Sequence, residues 1–61
     1  MNKERCFSCA YTILDNINAI IYELQTDKPY KGYLQEKLQP IKNDLTVLEG
    51  EINNGWFNVW M

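Results

Sequence analysis

Two apolar repeats of identical form, separated by one proline-containing break, constrain this chain more than any other feature. Cys6, Ala10, Ile13, Ile17, Ile20 and Leu24 follow one another at spacings of 4, 3, 4, 3 and 4, and Leu34, Leu38, Ile41, Leu45, Leu48 and Ile52 do the same. That alternation is the a/d pattern of helices packed along a seam, and a strand with its period of two cannot produce it. It predicts helix 1 over about residues 2–25 and helix 2 over about residues 32–54.

The stripes differ in width. At 100° per residue, Phe7, Leu14 and Ile21 extend the helix 1 stripe on one side and Cys9 on the other, giving an apolar arc of about 160°. Tyr11 and Tyr22 stand just beyond its edge. The helix 2 stripe spans about 80° between Lys37, Asp44, Lys42 and Glu49. Helix 2 therefore has apolar surface for one partner and helix 1 for two.

Residues 26–31 break the pattern, with Pro29 pushing Lys28 out of the α region and Gly32 easing the turn. So short a link predicts an antiparallel hairpin. In register, Leu24 then faces Leu34, Ile17 faces Ile41, Ala10 faces Leu48 and Cys6 faces Ile52. Pro40 removes a hydrogen bond to the Glu36 carbonyl, so a kink or break is expected near Gln39. Asn53, Asn54 and Gly55 tolerate the left-handed conformation that ends helices, and residues 56–61 follow as a separate apolar tail. The chain is thus expected to be one all-α domain.

At 61 residues, such a domain buries only about 60% of the surface its unfolded chain exposes, so its core needs a supplement. Cys6 and Cys9 together close too small a loop to constrain the unfolded chain, and without histidine they make a poor zinc set. Self-association remains, with a dimer of hairpins forming a helical bundle as the favoured arrangement.

Six basic and eight acidic residues give a net charge of −2, which offers no cationic field for nucleic acid or anionic lipid. No apolar run approaches the length of a membrane span, and Asp15, Asn16 and Asn18 interrupt any signal-like segment after Met1 to Arg5. The expected setting is cytoplasmic, with reduced thiols. Abundant Asn, Lys, Ile and Tyr point to an AT-rich genome such as that of a phage or mobile element.

Catalytic chemistry finds little to work with. Cys6 and Cys9 have the C-x-x-C spacing of redox and zinc motifs, but no strand-to-helix context surrounds them and no second pair accompanies them. They are expected to be packing residues, Cys6 in the seam and Cys9 at its rim. Glu4, Asp15, Glu23, Asp27, Glu36, Asp44, Glu49 and Glu51 all fall off the apolar stripes, where burial would tune them. Ser8 and Cys9 have no histidine to activate them, and no phosphate-binding fingerprint is present. The expectation is a non-enzyme without cofactor.

Two features remain as binding candidates. Lys28, Tyr30, Lys31 and Tyr33 gather cations and rings at the start of helix 2, where the backbone N–H groups suit a nucleotide or other small anion. Trp56, Phe57, Trp60 and Met61 form the tail, and with Tyr11 and Tyr22 they make an aromatic set of the kind that anchors protein interfaces. The function expected is a small regulator or inhibitor that occludes a surface of a larger protein. The alternatives are the anion-binding module and a structural subunit of a larger assembly.

The tail has two possible roles, a cap on the hairpin's own core or an anchor for a partner, and deleting Trp56 to Met61 separates them. Loss of a cap is expected to lower the melting temperature by about 4–8 °C per kcal/mol. Loss of an anchor is expected to leave melting in place and weaken partner binding by about 2 kcal/mol or more per tryptophan. Circular dichroism melts are read beside Leu45→Ala, whose seam position predicts a cost of about 2–5 kcal/mol.

Overall fold

The computed structural model describes residues 2–54, which form two helices, α1 (Lys3–Leu24) and α2 (Lys31–Asn53), packed against each other as an antiparallel hairpin. No strand occurs among the described residues. α1 starts where Asn2 adopts an extended conformation and its side-chain oxygen accepts a hydrogen bond from the Arg5 N–H at 3.1 Å. This satisfies one of the N–H groups that every helix start leaves without a partner. The helix ends in a tightened turn. The Gln25 N–H donates to the Tyr22 carbonyl, and both the N–H and the hydroxyl of Thr26 donate to the Glu23 carbonyl.

α2 starts after an extended Tyr30, which caps without a side-chain bond. The Tyr30 ring folds back over the first turn. A Cβ built on Gly32 would lie 3.0 Å from two ring carbons, so a side chain at this position would push the ring away. Glycine is used here for close approach, since no described residue has positive φ. Asn54, which ends α2, keeps φ at −80° and donates its N–H to the Gly50 carbonyl. The left-handed cap expected from Asn53 and Asn54 is therefore not formed by either of them, and Gly55 lies outside the described residues. α2 runs through Pro40 as one continuous helix, so of the kink or break expected near Gln39 a break does not occur.

The seam itself differs from the sequence expectation. On α1 the buried or half-buried positions include Cys6, Cys9, Ile13, Asn16, Ile20 and Glu23, and on α2 they include Leu34, Lys37, Ile41, Asp44, Leu48 and Glu51. Ala10, Ile17, Leu24, Leu38, Leu45 and Ile52, half of the expected seam, are exposed. Each helix is thus turned by about 60° from the centre of its apolar stripe. The physical reason lies at the two ends of the hairpin. The Tyr30 N–H donates to Glu23 Oε2 at 3.0 Å, and the Asn2 N–H donates to Glu51 Oε2 at 3.3 Å. Each glutamate near the end of one helix accepts from the residue that starts the other, where the helix dipole favours a negative charge. Glu51 also pairs with Arg5 at 3.7 Å. That contact is one residue from each member of the expected Cys6 and Ile52 pair, so the axial register holds while the rotation does not.

The polar groups drawn into the seam are accommodated locally. The Asn16 amide donates to the Thr12 carbonyl of its own helix at 2.8 Å, and Lys37 sits over the Tyr33 ring at 5.3 Å. Only Cys9 and Ile41 are buried among the described residues, and no described side chain is fully enclosed. Ile41→Ala is therefore expected to cost about 2–3 kcal/mol of helical stability, the low end for a large-to-small core change, because the site is close to solvent and can collapse. Leu45→Ala, at 51% exposure, is expected to cost under about 1 kcal/mol, in place of the seam value that the sequence implies. Thermal melts monitored at 222 nm compare them at concentrations low enough to keep any association out of the reading.

Candidate functional site: a one-sided apolar face

The rotation that brings Glu23 and Glu51 into the seam moves a second apolar row out of it. On α1, Phe7, Ala10, Leu14, Ile17, Ile21 and Leu24 are all exposed, again at spacings of 3 and 4. On α2, Leu38, Leu45 and Ile52 are exposed at spacings of 7. Both helices are turned in the same sense about their own N-to-C direction, and their directions are opposed. The two rows therefore emerge on the same side of the hairpin.

The result is a face two helices wide, free of charge along the α1 row between Phe7 and Leu24, whereas on α2 the exposed Lys42 and Glu49 alternate with Leu38, Leu45 and Ile52 at spacings of 4 and 3. Monomeric soluble proteins scatter their exposed apolar residues and keep large contiguous patches for binding. Among the described residues, eight of the eleven exposed large apolar side chains fall on this single side. A surface depression lined by Leu45, Thr46, Leu48, Glu49 and Ile52 gives the α2 half relief of the kind that receives an inserted side chain.

Tyr11 and Tyr22, expected as partner-binding residues, are 62% and 71% exposed and border the α1 edge of the face. Tyr11 stacks against Phe7 with ring centroids 6.5 Å apart, which ties the border to the face. Trp56, Phe57, Trp60 and Met61 lie outside the described residues. The sequence assigns the members of both exposed rows to a covered seam or its flank. No sequence signal marks which half of a wide stripe stays uncovered.

The alternative anion site is arranged differently from a binding pocket. Lys28, Tyr30 and Lys31 are exposed, and Tyr33 is half-buried beneath Lys37. The Tyr30 N–H already donates to the Glu23 carboxylate, so an acidic group stands where the anion would sit. Cys6 and Cys9 are free thiols, and the order expected for them is reversed: Cys9 is buried and Cys6 is half-buried. The rotation of α1 accounts for this, since it turns Cys9 toward α2. Among the described residues no group of three or more metal-ligating side chains is found, and no helix is long and apolar enough to cross a membrane.

Comparison with protein-family models, with curated proteins and with solved structures finds no match to this chain.

The thiols give a direct check on the rotation. Cys6 is expected to react with a thiol reagent several-fold faster than Cys9, because reaction needs an accessible sulfur. Cys9→Ser is expected to lower stability by about 1 kcal/mol through burial of a hydroxyl, and Cys6→Ser by less. Labelling rates of the two single-cysteine variants, followed by mass spectrometry, decide the order.

Proposed function

We propose that this chain is a non-enzymatic protein-binding element that acts through the apolar face of its hairpin, as a small regulator or inhibitor occluding a surface of a larger protein. One observation carries the reading: the hairpin leaves two in-phase apolar rows uncovered on one side while enclosing no described side chain fully. A fold with so little interior gains most from covering that face, since apolar burial yields about 25 cal/mol per Å² and the face is the largest uncovered apolar area described. The bordering tyrosines supply rigid aromatic surface with a polar tip, which suits the rim of an interface.

The non-enzymatic part rests on the residue inventory. The sequence has no histidine, and among the described residues no polar or charged side chain is buried where its protonation could be tuned for catalysis. Anion binding at the Lys28 to Tyr33 turn is the weaker reading, because Glu23 occupies the helix start.

Site-specific photo-crosslinking tests the proposal. With a benzoylphenylalanine at Ile17, the full chain expressed in its own host cells is expected to form adducts with another polypeptide chain. The same probe at Glu36, an exposed position on the opposite side of the hairpin, is expected to form none. Equal adducts from both positions, or none from Ile17, would refute the face as the binding surface.

A further inference from the structure

We infer that the face is covered by a second copy of this chain, in a two-fold dimer whose axis runs parallel to the helices. This rests on the reading of the face as a protein-binding surface and names its partner.

Area is the first argument. α1 has 22 residues, so the face is about 33 Å long at 1.5 Å per residue. Two helices packed 8–10 Å apart make it roughly 18 Å wide. That is about 600 Å² per copy before side-chain relief is counted, or about 1,200 Å² in all, which reaches the threshold for a stable specific interface. A single foreign helix lying along the face would cover about half of it. A second two-helix layer of the same length covers all of it.

Register is the second argument. A two-fold axis parallel to the helices places α1 of one copy over α2 of the other, antiparallel, at the same axial heights as within one hairpin. The Arg5 to Glu51 contact sets those heights. Phe7, Leu14 and Ile21 then lie level, within about one turn, with Ile52, Leu45 and Leu38 of the second copy. Each exposed residue of the sparse α2 row thereby meets a member of the denser α1 row. Every neighbouring pair of helices in the bundle is antiparallel, so the dipoles oppose favourably.

Charge selects this axis over the other two-fold that would stack the faces. With the axis across the helices and full overlap, α2 lies on α2, and Lys42 at its rim meets Lys42 of the second copy. With the axis along the helices, the α2 rim of Lys31, Lys42 and Glu49 faces the α1 edge of the second copy, where Lys42 lies level with the opposite charge of Asp15. No like charges are then opposed across the interface.

Sedimentation equilibrium on the full chain at about 10–100 µM, a range that detects micromolar dimers, tests this with two variants, Leu14→Glu and Leu45→Lys. The wild type is expected to show twice the 7.2 kDa chain mass. Each variant alone is expected to weaken dimerisation by about 100-fold or more, because it places an unpaired charge in the interface. An equimolar mixture is expected to restore the dimer, since the carboxylate introduced into one copy meets the ammonium introduced into the other and the remaining contacts stay apolar. Should single variants lose helicity, recovery of the 222 nm signal on mixing is the equivalent readout.

In otherwise wild-type chain, a benzoylphenylalanine at Leu45 is expected to crosslink to the segment around Leu14 of a second copy. A monomeric wild type, variants that stay dimeric alone, or a mixture that fails to recover would overturn the dimer. If the wild type is monomeric while the Ile17 probe still captures another protein, only the second copy is lost. If neither association is seen, the protein-binding reading falls with it.

Discussion

The structure depends on a reciprocal pair of hydrogen bonds at the ends of the hairpin. Glu23, near the end of α1, accepts the Tyr30 N–H at the start of α2, and Glu51, near the end of α2, accepts the Asn2 N–H at the start of α1. A helix start carries unpartnered N–H groups and a partial positive charge, and in an antiparallel pair each start lies beside the other helix's end. Glutamate is long enough to cross the gap. Both glutamates must then point toward the opposite helix, and this fixes the rotation of each helix about its axis.

That rotation divides the apolar surface. A helix paired with one neighbour covers only part of its circumference, and the arc of α1 is too wide for a single partner. With Glu23 and Asn16 in the seam of α1, and Lys37, Asp44 and Glu51 in that of α2, half of the apolar stripe on each helix is displaced to one side. The interior becomes thin, with Cys9 and Ile41 as its only buried apolar residues among those described. The displaced half becomes a surface. The same contacts that expose this surface leave the core of so small a chain short.

Polar chemistry in the hairpin serves the backbone. Asn2 caps α1, Asn16 and Thr46 bond to carbonyls of their own helices, and Thr26 closes the last turn of α1. Each of these hydrogen bonds ends on the helix's own backbone, and the two lysines of the turn remain in solvent beside a helix start already satisfied by a carboxylate. The surface that distinguishes the molecule is extended and largely apolar.

The sequence by itself determined that the chain is all-α, that it has two helices with ends within a residue or two of those observed, and that they run antiparallel. Spacing alone fixes these properties, because the 3 and 4 alternation admits only a helix and a link of about six residues admits only a reversal. It also showed that α1 has more apolar surface than α2 covers. Which half stays uncovered was decided only by the tertiary structure. Ala10 and Ile13, or Leu45 and Leu48, are neighbouring positions on one stripe, and periodicity assigns them equally to the seam. The choice between them is made by Glu23 and Glu51 reaching across to the other helix, an interaction between residues that no local pattern connects. For the same reason the buried thiol is Cys9 rather than Cys6, and Leu45 stands on the open face of the hairpin rather than in its core.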